Sequence, residues 1–235
     1  MSDIDYFSIV ESTHDVQNPS SPAKLREVAE HLEIGAGDQV LDIGSGRGWW
    51  AAELAAMGAE VVGLEINSEF VHAARKRVHD AGLTDRVRHV EGPALDFEPG
   101  RYTVATCLGA SFALGGYRAA LEWMAGTLVE QGRVAIGDVH SVDGSSTEEL
   151  PSLIELVHIA EEFGVEVTGL VSASVDDWDR YESGHWKNVH SWAKRNPDHP
   201  DRQTVMADSR RFRNDYLTRE RGSIGWSILV GELKL

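Results

Sequence analysis

Residues 40–48, Val-Leu-Asp-Ile-Gly-Ser-Gly-Arg-Gly, run an apolar stretch of strand straight into a turn that carries three glycines. Few folds tolerate this. An Ala-rich helix follows from Trp49 to about Met57, Gly58 closes it, and 60–64 reads as a second strand, so the segment is a strand-helix-strand unit. A glycine turn after the first strand of such a unit brings backbone amides and a helix start close to a ligand.

The alternation continues on both sides of this unit. Ser21-Pro22 opens a preceding helix with apolar positions Leu25, Val28, Ala29 and Leu32, and Ser68 is expected to cap the next one, which bears Val71, Ala74, Val78 and Ala81. Further strands are expected at 87–90, 102–108, 133–139 and 166–171, with helices over Tyr117–Leu128 and from Leu150 to Ala160. The rhythm breaks after Ser174, where helical segments at about 175–195 and 201–218 follow each other without a strand, before Ile224, Trp226, Ile228 and Val230 alternate as a last strand. The expected fold is α/β: a doubly wound, mostly parallel seven-stranded sheet whose last strand is antiparallel, with a helical lid inserted over about 174–221. One domain over 1–235 accommodates all of it.

The glycine spacing narrows the ligand. A dinucleotide turn needs Gly-x-Gly-x-x-Gly, yet after Gly44 and Gly46 the third position holds Trp49, whose indole would obstruct close helix-strand packing. That opposes a nicotinamide-dependent oxidoreductase. The third glycine comes one residue early, at Gly48, and Asp42 stands two residues before Gly44. Glu65 ends the second strand about twenty residues after the turn, where an acid accepts hydrogen bonds from ribose hydroxyls in either kind of site.

This Asp-x-Gly-x-Gly-x-Gly arrangement resembles the first motif of the class I methyltransferases that use S-adenosylmethionine (SAM), and the resemblance extends over most of the chain. It implies that Asp42, Gly44, Ser45 and Gly46 hold the methionine end of SAM, that Glu65 takes the ribose, and that Ile66 lies on the adenine. Ala94, Leu95 and Leu108 would complete the cofactor wall. The third motif departs from the family: Pro93 stands where an aspartate is usual, and proline offers neither an acceptor side chain nor an N–H. A more apolar adenine pocket is therefore expected. His14 through Pro22, Cys107-x-Gly109-Ala110 and the segment 177–182, Asp-Trp-Asp-Arg-Tyr-Glu, are similar to a small-molecule branch of that family whose core is like the quinone-biosynthesis enzymes.

Methyl transfer from a sulfonium is an in-line displacement that needs alignment and exclusion of water. It needs no metal, and the single cysteine removes any case for a multi-cysteine metal site. Ligands of parallel sheets sit beyond the strand carboxyl ends, which directs attention to Gly109 and Ala110 after the fourth strand and to Asp138 and His140 after the fifth. His140 is a candidate base, because imidazole suits proton transfer near neutral pH. On the inserted helix Trp178, Tyr181, His185 and Trp192 share one face, and Tyr181 and Glu182 are candidate acceptor contacts, since polar groups among tryptophans need partners. A SAM-binding regulatory module is the non-enzymatic alternative.

Twenty-two basic against thirty-eight acidic residues leave a formal charge of −16, which repels nucleic acid and anionic lipid. A small-molecule acceptor is the expected partner. The single cysteine, Cys107, excludes an internal disulfide, and the first residues show no basic or apolar leader, so a cytoplasmic setting is expected. Oligomeric state is not legible.

Overall fold

The computed structural model describes residues 6–144 and 150–234. Residues 1–5, read above for a leader, lie outside the described residues, as do 145–149 and 235. The helices are α1 (Tyr6–Val10), α2 (Pro22–His31), α3 (Trp49–Ala56), α4 (Ser68–Asp80), α5 (Tyr117–Thr127), α6 (Leu153–Glu162), α7 (Val175–Arg195) and α8 (Arg202–Asp215). The strands are β1 (Gln39–Ile43), β2 (Glu60–Glu65), β3 (Val87–Glu91), β4 (Tyr102–Leu108), β5 (Leu128–Ser141), β6 (Val165–Ser172) and β7 (Ile224–Leu233). They form one sheet in the order β3-β2-β1-β4-β5-β7-β6. β3, β2, β1, β4 and β5 run parallel, and β7 inserts antiparallel between β5 and β6.

The side-chain period of two on each strand separates two apolar layers. Val40, Val104, Ala135 and Ile228 face one side, against Leu25, Val28 and Leu32 of α2 and Leu54 of α3. Their neighbours Leu41, Ala105, Ile136 and Leu229 face the other, against Leu121 and Met124 of α5 and Leu156 of α6. Both faces of the parallel strands are thus covered, and the central strands read as continuous apolar runs. Cys107 lies wholly within the second layer, where burial pushes its thiol up to about 12.

Two expectations about element ends change. Asn67, not Ser68, caps α4, because its Oδ1 accepts from the amides of Glu69 and Phe70. The fifth strand begins at Leu128 instead of 133: Tyr102 pairs with Leu128, the register shifts, and Val104 then pairs with Arg133, so the Gln131-Gly132 turn is taken up as an irregularity inside one strand.

The helices between β6 and β7 form a separate patch. α7 starts in a capping box in which Ser174 and Asp177 exchange backbone and side-chain hydrogen bonds. Val189 of α7 and Val205 of α8 bury Ile9 and Val10 of α1. The inserted helices thereby fix the N-terminal segment, which continues across the carboxyl end of the sheet. Asn188 clamps it further, donating to the Val10 carbonyl at 2.7 Å and accepting from the Thr13 hydroxyl at 2.7 Å.

Candidate functional site

β1 delivers Asp42 to the carboxyl end of the sheet, where a chain of hydrogen bonds orients it. Trp50 Nε1 donates to the Thr106 hydroxyl at 3.3 Å, and that hydroxyl donates to Asp42 Oδ1 at 2.7 Å. Asp42 Oδ2 is buried and accepts no hydrogen bond among the described residues. Burial, only partly offset by Thr106 and reinforced by the charge of Glu65, lifts the Asp42 carboxyl to about 7. An orphaned carboxylate oxygen held this way calls for a cationic or donor group.

The glycine turn cradles the space beside it. Gly44, Gly46 and Gly48 all have positive φ (70°, 53° and 74°). A Cβ on Gly44 would overlap Ala110, and one on Gly46 would overlap the Gln17 carboxamide. Gln17 Oε1 also accepts from the Arg47 amide at 2.8 Å, so the N-terminal segment straps the turn. The Ser45 amide donates to the Leu64 carbonyl at 2.9 Å, and its hydroxyl lies 3.4 Å from Nδ1 of buried His89. Burial, with Arg75 nearby, holds His89 down at about 4, so the ring is neutral. Ser45 therefore anchors the turn from beneath, although it borders the small recess of about 50 Å³ that Asp42, Gly44, Gly46, Trp49 and Leu108 enclose.

A larger cavity of about 570 Å³ opens alongside, within the usual range of small-molecule sites of about 300–1,000 Å³. Gly44, Gly46, Glu65, Ile66, Ala94 and Leu108 border it. Leu95 is 63% exposed and outside that wall. Gly109 and Ala110, expected on the acceptor side, are in the wall as well. Glu65 at its edge accepts from the Gly46 amide at 2.9 Å and the Asn67 amide at 2.8 Å, which aims both carboxylate oxygens. Phe7, Phe70 and Phe112 line the cavity without having been singled out in the sequence. Phe112 is 77% exposed and Ile66 67%, an apolar rim with no protein cover. Gly92, Pro93 and Ala94 line one stretch of the wall, where Pro93 offers no polar side chain.

The three candidate acceptor residues are not brought together. His140 is engaged at both ring nitrogens, Nδ1 with the Ser141 carbonyl at 2.9 Å and Nε2 with the Ser227 hydroxyl at 2.8 Å, and its ring packs where Gly225 leaves room. The Ser227 contact ties β5 to β7, so the expected base is engaged in strand pairing. Asp138, its neighbour on the strand, accepts from Ser111. Tyr181 and Glu182 share α7, and the Tyr181 hydroxyl donates to Glu11 Oε1 at 2.6 Å, with the Gln17 carbonyl 3.3 Å away.

Glu11, on the segment leaving α1, is the hub that sequence reading missed. Its carboxylate is fully buried, and His14 Nδ1 and His185 Nε2 approach it at 2.9 and 2.8 Å. Burial pushes its carboxyl up, but the hydrogen bonds from His14, His185 and Tyr181 outweigh it and hold the group at about 2. Burial likewise pushes His185 down, and Glu11 with Glu182 overcomes that to raise it to about 9. A lone glutamate in a helical tail carries no sequence signal for this role.

Residues 40–132 match the family model described as a methyltransferase domain. Over 241 aligned residues the chain is 29% identical to the uncharacterized protein YjhP of Escherichia coli K12, covering 95% of this chain and 96% of that protein. A crystal structure of a SAM-dependent methyltransferase from Geobacter sulfurreducens in complex with S-adenosylhomocysteine superposes with a TM-score of 0.91 at 29% identity over 100% of both chains. The chain thus shares its fold, along its full length, with a SAM-dependent methyltransferase. Likeness to the ubiquinone biosynthesis O-methyltransferase of Methylococcus capsulatus is confined to 89 residues, 37% of each chain, at 29% identity. The chain shares only part of its length with that enzyme, whereas its likeness to YjhP and the Geobacter protein runs from end to end.

Proposed function

We propose that this chain transfers the methyl group of SAM to a small metabolite held between the end of β4 and the inserted helices, which act as a lid over about 174–221. The observation that carries the reading is the orphaned Oδ2 of Asp42 beside a glycine turn too tight for any side chain. SAM supplies an activated methyl on a sulfonium. Asp42 fits its ammonium group, and the Gly44 and Gly46 backbone admits its methionine chain. Glu65 fits the ribose hydroxyls by exchanging its hydrogen bonds from Gly46 and Asn67. Ile66, Ala94 and Leu108, joined by Phe7 and Phe112, offer apolar contact to the adenine, while Ser45 holds the turn through His89.

On the acceptor side the lid excludes water, and Tyr181 and Glu182 position the acceptor. Tyr181 keeps its proton, because burial and the adjacent Glu11 raise it well above its ordinary value. Since that proton goes to Glu11, the hydroxyl meets the acceptor through its oxygen lone pairs. A small acceptor agrees with the acidic surface, and a reducing cytoplasm with the single buried cysteine. Among the described residues no helix is long and apolar enough to cross a membrane.

Incubation of the full chain with methyl-labelled SAM and fractionated cell extract tests this reading. Label is expected in a low-mass product, with Tyr181→Phe lowering turnover about tenfold or more at unchanged SAM affinity. Label confined to protein or nucleic acid would overturn it.

A further inference from the structure

The seam between the N-terminal segment and α7 contains more than a latch. Glu11, His14 and His185 each present one ligand-type atom, and these atoms all lie within 4.8 Å of one another. We propose that these three residues bind a divalent transition-metal ion of the zinc class. This goes beyond the methyl-transfer reading and does not depend on it.

The donor set points to that class. Two imidazole nitrogens and one carboxylate oxygen suit zinc, cobalt or nickel, whereas magnesium and calcium prefer oxygen alone. The scaffold is already assembled: Glu11 and His14 are three residues apart on one segment, His185 comes from a 21-residue helix, and Asn188 locks the two together through Val10 and Thr13. The donor atoms are now 2.8 and 2.9 Å from the carboxylate oxygens. In a tetrahedron with bonds of about 2.0–2.2 Å the donor atoms stand roughly 3.3–3.6 Å apart. These two contacts, which reach different oxygens of Glu11, therefore widen by about half an ångström, while the remaining donor separations settle within the present 4.8 Å limit.

Charge and the surrounding groups agree. Glu182 Oε2 stands 3.8 Å from Nδ1 of His185, the ring nitrogen facing away from Glu11, where an acid orients a ligating histidine. The Tyr181 hydroxyl fixes Glu11 in the same way. Glu11 and Glu182 bring two negative charges, which a divalent ion with two neutral imidazoles balances. Binding takes the place of the proton on His185 Nε2, which leaves to solvent, while Nδ1 of that ring keeps its proton toward Glu182, and His14 ligates as neutral imidazole through Nδ1. Three protein ligands leave a fourth position for water or a ligand atom. Gln17, which touches both Tyr181 and the glycine turn, connects this centre to the cofactor cavity.

The test uses the full chain, stripped with a chelator and titrated with cobalt(II). Visible d–d absorption should grow to saturation at one ion per chain and be displaced by zinc. His14→Ala and His185→Ala should each weaken cobalt binding about a hundredfold or more, while His190→Ala, an exposed position on α7, leaves it unchanged. X-ray absorption of the cobalt-loaded wild type should show imidazole in the inner shell, a readout that does not depend on any variant folding. S-adenosylhomocysteine binding on the same samples reports separately on the cofactor site. Absence of a saturating one-ion transition in the wild type, or an inner shell without imidazole, would overturn the proposal.

Discussion

The buried, half-satisfied carboxylate of Asp42 destabilises the cofactor-free fold at neutral pH. Its carboxyl rises from an ordinary 3.8 to about 7 on folding, so its contribution to stability is full below about pH 4 and is lost as pH climbs through 7. An asparagine in its place would carry no charge at any of these pH values and would still accept from Thr106. Asp42→Asn should therefore raise the Tm of the cofactor-free protein at pH 8 by a few degrees, about 1 kcal/mol or more, with the gain shrinking toward pH 4. Thermal scans at both pH values check this. The same residue was legible from the sequence because its spacing to the glycines is local. Glu11 was not, because its partners His185 and Tyr181 lie more than a hundred and sixty positions away and meet it only in the folded chain.

At the scale of elements, the loop after β4 and the short helix α1 both contribute to the cavity wall. Gly109 has φ of 108°, and a Cβ there would come within 2.9 Å of the Trp226 ring. Gly109→Ala should cost about 2 kcal/mol, read as a lower denaturation midpoint, and weaken cofactor binding as the indole shifts. Phe7 is 51% exposed beside Phe70 and lines the cavity from α1. Phe7→Ala should weaken S-adenosylhomocysteine binding about threefold to tenfold, measured by calorimetry, while the Tm of the cofactor-free protein stays nearly constant. The strands of the parallel core were readable as apolar runs, since both faces are buried. The start of β5 was not, because pairing with β4 across a register shift, and not its own residues, carries the strand through Gln131 and Gly132. His140 was misread for a related reason: alternation gives its side of the strand, whereas only the antiparallel neighbour β7 supplies the Ser227 hydroxyl that occupies it.

For the whole molecule, the sheet order places the glycine turn of β1 beside the ends of β2 and β4, so Asp42, Glu65 and Leu108 border connected space although they come from three separate strands. The inserted helices then hold the N-terminal segment across that space. Fold and cofactor end were legible because each rests on a repeated local pattern. The proposed acceptor end was not, since Tyr181 meets residues 11–17 only in the folded chain. The central claim, that this cavity is a SAM site held by Asp42 and Glu65, is tested most directly by calorimetric titration at pH 8. Wild-type protein should bind one S-adenosylhomocysteine per chain, Glu65→Gln should weaken that binding about tenfold or more, consistent with loss of charge-assisted hydrogen bonds of about 1.5–3 kcal/mol, and NADH should not compete. Tighter binding of NADH than of S-adenosylhomocysteine, or an affinity untouched by both Glu65→Gln and Asp42→Asn, would contradict it.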